Sequence, residues 1–281
     1  MSAKIVLILI SVIVLSVTSC QKRRLNRDTT TSIDMSIAEG GFNDIQKVSE
    51  DAIKEAFLEG KSSGGFKDIY GSPMVTVTPA WPDSSFPKDI LIDFGTGTTD
   101  WLGHNRSGVL SIHATGMYKD SGAVFIINPS NYYVNDYRVE GKKTILNTGR
   151  NSNGNINYSV VVADGRVTLP FSDVIFWESN RNREWVSGED TDYVTDGLSG
   201  ILDDSFSITG KGSGVNRLGR AYSVSIINPL IFGFSCRNIQ KGVLEIAPNE
   251  LDVRTVDYGS GTCDNDATVT VDNRTYNIKL W

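Results

Sequence analysis

The chain has 281 residues, with 27 Lys and Arg against 33 Asp and Glu, 27 glycines, three cysteines and two histidines. With 40% apolar and 21% charged residues it has the composition of a folded protein, long enough for one or two domains. The acidic balance argues against a nucleic-acid partner. Two histidines exclude a multi-histidine metal cluster, and three cysteines exclude a zinc site of four thiolates from one chain.

The N-terminus reads as an export signal. Lys4 precedes Ile5 to Val17, 13 residues that are nearly all apolar. A spanning helix needs about 20. Thr18, Ser19 and Cys20 follow, and the run from Leu15 to Cys20 resembles the lipobox of bacterial lipoproteins. That resemblance implies a signal peptide over 1–19 and acylation of Cys20 as a lipid anchor. Residues 20–41 are polar, contain Gly40-Gly41 and read as a tether. Its first part carries Lys22, Arg23, Arg24 and Arg27 and no acid, which suits an anionic lipid surface. Without these four and Lys4, residues 28–281 hold 22 cations against 33 acids, a net −11. By the same resemblance, a residue other than Asp after the cysteine implies the outer membrane. A basic rather than acidic tether implies its periplasmic side, with surface exposure as the alternative. Asp28-Thr29-Thr30 resembles a short O-glycosylation sequon.

The spacing next predicts one amphipathic helix over 42–60. Asn43 or Asp44 serves as its cap, Ile45, Val48, Ala52, Ile53, Ala56 and Phe57 form its apolar side, and Gly60 ends it. Gly- and Ser-rich residues 60–65 follow. From Met74 on, Val-, Ile-, Thr-, Tyr- and Phe-rich runs alternate with turn signals. The predicted strands begin with 74–78, 89–94, 108–114, 123–128, 132–140, 143–147, 157–163, 167–171 and 174–179. They continue with 205–209, 221–227, 230–235, 243–247, 253–258, 267–272 and 275–280. Glu140-Gly141, Asp164-Gly165 and Asp272-Asn273 are read as turns. No helix-length segment separates strands, so parallel crossovers have nothing to build them. The expected fold is mainly β, an antiparallel meander or sandwich-like arrangement with one short N-terminal helix.

Short words recur along the chain. Gly149-x-Asn151-x-x-Gly154 returns as Gly214-x-Asn216-x-x-Gly219, each leading into Tyr-Ser-Val. Ile126-Ile127-Asn128-Pro129 returns as Ile226-Ile227-Asn228-Pro229. Asp93-Phe94-Gly95-Thr96-Gly97-Thr98 matches Asp257-Tyr258-Gly259-Ser260-Gly261-Thr262. Ser107 to Ile112 matches Lys241 to Ile246, and these last two pairs come in opposite order. The words divide the chain into β module 1 (74–180), a polar connector (181–199) and β module 2 (200–281), read as a duplication. Together with the lipobox, Ile90 to Gly95 and the Cys236-x-x-Ile239-x-x-Gly242 run, the pattern resembles a group of uncharacterised exported lipoproteins of Bacteroidetes type. That resemblance implies a location and an architecture, and no activity.

The chemical candidates are few. In an exported chain Cys236 and Cys263 are expected to pair as a disulfide, closing a loop that contributes about 3.5 kcal/mol on a chain-entropy model. Gly95/Gly97 and Gly259/Gly261 precede strands rather than a helix, so they are turns and not phosphate loops. Asp264-Asn265-Asp266 lacks the Gly and Glu of a calcium loop and reads as a surface turn, and Asp190, Asp192 and Asp196 near Glu189 read as solvated connector. No metal or cofactor site is predicted. His104 and His113 lack a Gly-x-Ser-x-Gly elbow or other protease signature. Of the aromatics Trp101, Trp177, Trp185, Trp281, Tyr132 and Tyr133, Trp177 reads as core. Trp185, with Arg181 and Arg183, is the candidate exposed binding site. The expected function is therefore a lipid-anchored, non-catalytic binding, structural or assembly role in the cell envelope, with an envelope protein or glycan as partner. The alternative is a carboxylate-dependent enzyme acting on envelope glycans.

Overall fold

A computed structural model describes residues 28–56, 69–80, 82–191, 196–197, 199–236 and 238–280. Cys20, the basic run 21–27, Phe57, Gly60, the Gly- and Ser-rich stretch 60–65, Asp192 and Trp281 lie outside the described residues. In chain order the elements begin with α1 (Thr30–Ala56), β1 (Met74–Thr78), β2 (Lys88–Asp93), β3 (Thr98–Thr99), β4 (Asn105–Ala114), β5 (Val124–Val134), β6 (Tyr137–Arg150), β7 (Ile156–Thr168) and β8 (Val174–Ser187). They continue with α2 (Ser199–Leu202), β9 (Ser205–Val215), β10 (Ala221–Gly233), β11 (Lys241–Pro248), β12 (Arg254–Ser260), β13 (Asp266–Val271) and β14 (Arg274–Lys279).

The fold is mainly β, as the strand periodicity predicts. The strands form one antiparallel meander in sequence order from β1 to β14, with β3 set beside β4 off the main path. β1 and β14 are edges, so the sheet is not closed. The two stretches read as modules share this sheet, because β8 pairs with β9 from Phe176 opposite Val215 to Ser187 opposite Ser205. Residues 181–187, expected in a connector, are therefore strand.

The repeated words encode local geometry. Asn151 and Asn216 each fold a five-residue hairpin turn about a side-chain oxygen. Asn151 Oδ1 accepts from the N–H groups of Asn153 and Asn155 at 2.9 and 3.1 Å. Asn216 Oδ1 accepts from Leu218 and Arg220 at 3.0 and 2.9 Å. The Ile-Ile-Asn-Pro words fall where the ladder loses register, after Ile127 on β5 and between Ser225 and Leu230 on β10. Gly108 and Gly242 open the matching bulges on β4 and β11. A Cβ there would stand 2.0 Å from the Asn131 carbonyl oxygen or 2.4 Å from that of Pro229. Glu140-Gly141 and Asp164-Gly165, read as turns, are facing bulges within β6 and β7. Asp272-Asn273 is a true turn, with positive φ at both residues. Bulges add twist and bend a sheet, and here they curl it around a helix.

That helix is longer than its sequence predicts. It starts at Thr30, where the Asp28 carboxylate accepts the Thr30 N–H at 2.9 Å, so residues 30–41 are helix rather than tether. Gly40 and Gly41 argue against helix by propensity. In the fold, Gly41 lies against Val139, and an added Cβ would come within 3.1 Å of that side chain. Burial is not confined to one side. Asp34, Met35, Ile37, Ala38, Glu39, Phe42, Ile45, Gln46, Val48, Ser49 and Glu50 are all buried. Only Ile33, Ser36, Gly40, Asn43, Asp44 and Lys47 along the middle of α1 are partly exposed, and their spacing of three and four marks one stripe. The sheet thus wraps α1, about 40 Å long, on all faces but one.

Candidate functional site at the open seam

The wrapped faces of α1 carry acids, and the concave face of the sheet answers with cations. Arg217 of the β9–β10 turn holds Asp34 through Nε at 2.7 Å and through its backbone N–H at 2.8 Å. Arg181 of β8 donates to Glu39 at 2.9 Å. Arg183, two residues on, pairs with Glu50, which also accepts from the Tyr118 hydroxyl and from Gln46 Nε2 at 2.7 Å. Near the helix end Lys54 meets Asp204 at 2.7 Å. Asp204 also accepts the Trp185 indole N–H at 2.9 Å.

This arrangement corrects the expected exposed site. Trp185, Arg181 and Arg183 are 2%, 4% and 3% exposed. The strand period puts them on one face with Ile175 and Trp177, so all three point at α1. Each is occupied there: Arg181 and Arg183 by helix acids, and Trp185 stacked on Phe206 beneath the Lys54 ammonium. They are parts of the interior and present no surface to a partner.

Water reaches the polar interior at the seam. The partly exposed stripe of α1 borders a cleft of about 70 Å³. Tyr70, Asp100, Trp101, Leu102, His104 and Arg106 line one wall. Phe232, Asn238, Ile239, Tyr258 and Leu280 line the other. One cluster organises the first wall. Arg106 of β4 grips Asp44 of α1 through Nε at 3.1 Å and Asp100 through Nη1 at 2.7 Å. Asp100 in turn meets His104 Nδ1 at 2.8 Å and accepts the Leu102 and His104 backbone N–H groups. Tyr132 donates to Asp44 at 2.7 Å. Burial works to raise both carboxyls. At Asp44 the Arg106 charge and the Arg106 and Tyr132 hydrogen bonds outweigh it, and at Asp100 those of His104 and Arg106 do. Both are held below the usual carboxylate range and stay ionised.

That electrostatic arrangement limits the chemistry. Two-carboxylate glycoside hydrolysis needs one acid that keeps its proton, and Asp44 and Asp100 are tuned the other way. His104 is turned to a carboxylate, and His113 pairs with exposed Asp89 at 2.7 Å. Among the described residues no hydroxyl or thiol is hydrogen-bonded to either imidazole, and no group of three or more His, Cys, Asp or Glu could hold a metal ion. Trp101, 53% exposed, stands with Leu102 on the cleft wall. In the sequence Trp101 stands out only as one aromatic among several and Asp44 only as a candidate helix cap, which its place in the middle of α1 overturns, while Asp100 and Arg106 are not singled out. The i, i+4 pair Asp100/His104, with Arg106 two residues on, was the one signal available.

The second wall is fastened by the expected disulfide. Cys236 and Cys263 are bonded with Cα atoms 5.6 Å apart, and they join the β10–β11 loop to the β12–β13 turn. Asn238, on the same loop and lining the cleft, donates to the Asp264 carbonyl at 3.1 Å. In the 264–266 turn Asp264 accepts the Asp266 N–H at 2.9 Å, and Lys279 pairs with Asp266. Glu189, in the other acidic run, is held by Arg150 at 2.9 Å. No helix of the described residues is long and apolar enough to cross a membrane. No protein-family model, curated protein or solved structure matches the chain.

Proposed function

We propose that this chain is a lipid-anchored, non-catalytic binding or assembly protein of the cell envelope, held to the outer membrane through Cys20. One observation carries the non-catalytic part: the curled sheet encloses its own helix. Helix acids already occupy the concave arginines. The space left at the seam is about 70 Å³, where pockets for small molecules usually run to about 300–1,000 Å³. Such a cleft takes a side chain or a single functional group, not a glycan segment. Trp101 and Leu102 give it an apolar lip, and a rigid ion-pair wall lies behind, an arrangement suited to receiving part of an envelope protein.

A photo-reactive residue at Trp101, compared with one at outward-facing Leu91 of β2, tests this in native envelopes. Adducts concentrated at position 101 are expected, and equal labelling at both positions would remove the cleft from the reading. Fractionation of Cys20→Ala tests the anchor. The variant should leave the membrane fraction, and its retention after a high-salt wash would refute acylation there.

A further inference from the structure

Three exposed apolar side chains sit at the tips of neighbouring turns at one end of this fold. Register fixes two ends of the meander. The β7–β8, β9–β10 and β11–β12 turns lie at one end, and the β4–β5, β6–β7 and β8–β9 connections lie at the other. Each of the three consecutive turns at the first end carries an apolar residue into solvent: Phe171 (93% exposed), Leu218 (63%) and Val253 (49%). Phe171 sits at the tip of a tight turn in which the Leu169 N–H donates to the Asp173 carbonyl at 2.8 Å. Leu218 is the middle residue of the turn that Asn216 organises. Strands lie about 4.8 Å apart, so successive hairpins set these tips about 10 Å from one another along the rim. The opposite end exposes Met117 and Val186.

The same end receives the start of the described chain. Arg254, next to Val253, donates to the Asp28 carbonyl at 3.2 Å. Asn216 and Arg217, next to Leu218, bind Thr31 and Asp34. Two of the three hairpins that expose an apolar tip therefore also clamp the first turns of α1. Only eight peptide steps separate Asp28 from Cys20, a reach of at most about 29 Å, and that stretch holds four cations.

We infer that this rim is a bilayer-contacting surface, with Phe171, Leu218 and Val253 entering the interfacial layer of the membrane that holds the lipid anchor. The inference rests on Cys20 being that anchor. The short tether brings this end of the fold to the lipid, and its cations favour an anionic leaflet. Three separate apolar tips match a fluid interface better than a shaped protein pocket, which would need a contiguous patch. The docked rim turns the opposite end of α1 and the disulfide-linked loops away from the membrane.

The test uses acylated full-length protein in vesicles of phosphatidylethanolamine and phosphatidylglycerol, with a nitroxide at Phe171→Cys, Leu218→Cys or Val253→Cys and at Met117→Cys as control. The three tip labels are expected to gain oxygen contact several-fold over contact with a water-soluble nickel chelate, while the label at 117 stays aqueous. Anchored protein whose tip labels are as water-accessible as the control would overturn the inference and leave the anchor standing. Tip labels immobilised without lipid contact, as a protein partner would cause, would overturn it too. If Cys20→Ala protein stays on vesicles with its tips in lipid, the rim contact holds and the anchor reading fails.

Discussion

Two of the ion-pair clusters that join α1 to the sheet differ in their access to water. At the seam, Arg106 bridges Asp44 and Asp100 beside a cleft. On the sealed side, Arg183 meets Glu50 with Tyr118 and Gln46 closing over the pair. Charge chemistry and helix partner are alike. At the seam every carboxylate oxygen of the cluster has other donors or solvent nearby. On the sealed side one oxygen, Glu50 Oε2, has no hydrogen-bond partner among the described residues. A buried pair adds little net stability, but half of one is costly, because the stranded charge has nowhere to be solvated. The sealed cluster is therefore the costlier one to break, and the seam cluster shapes a wall that solvent reaches.

The largest break in that comparison is Arg183→Met. It strands the Glu50 charge, and the expected loss is about 3–5 kcal/mol in denaturant unfolding. Adding Glu50→Gln should recover most of it, since a neutral amide replaces the stranded charge. A double variant no more stable than the single one would show that packing of Arg183 on the Phe206 ring, not the ion pair, carries the effect. Next comes the seam's fastening. Cys236→Ser with Cys263→Ser should cost about 3.5 kcal/mol through the freed 27-residue loop. Amide exchange should rise across β11–β13 and leave β6–β8 unchanged. Arg106→Met should cost less than Arg183→Met, about 2 kcal/mol. Asp100 keeps His104 and two backbone donors, and Asp44 keeps Tyr132 and solvent. Equal losses at 106 and 183 would end the distinction between seam and sealed side.

The sheet was legible because a half-buried strand writes its period directly into the chain. The alternation of β1 gives it to the residue, and the Cys236–Cys263 pair follows from the cysteine count and the expected export. The interior was not legible, for a physical reason. Helix prediction looks for an apolar side set against a polar one, and in α1 buried acids interrupt the apolar residues, because part of its partner surface is a row of arginines. Asp34, Glu39 and Glu50 therefore looked like a solvated tether or the polar side of a short helix. The same reciprocity hid β8. Its inward positions run Ile175, Trp177, Ser179, Arg181, Arg183 and Trp185, and the alternation is unbroken only for a reader who allows arginine to point inward. Glycine misled in two directions. In Gly40-Gly41 it suggested a break where the helix needs a small residue at 41 against Val139. In Gly141 and Gly165 it suggested turns where the sheet needed bulges.

The smallest signal that separates the two regions is a slope with pH. Lys143 of β6 lies on the sealed side and donates to the Phe42 carbonyl at 2.7 Å. Burial first, and then the Arg183 charge, push its ammonium down to about 7. An unfolded lysine keeps its proton to about pH 10.5. Between these values the unfolded chain holds a proton that the folded chain has released, so folding stability rises with pH across that window and is flat in this respect below it. The slope is at most about 1.4 kcal/mol per pH unit. Lys143→Met should reduce it, leaving the share of Lys47 at the seam, whose ammonium burial also lowers, and Arg106→Met should leave the Lys143 share in place. Denaturant midpoints at half-unit steps from about pH 6 to 10 would measure this. A slope undiminished by Lys143→Met would mean that Lys143 is charged in the fold, with water penetrating the sealed side as it does the seam.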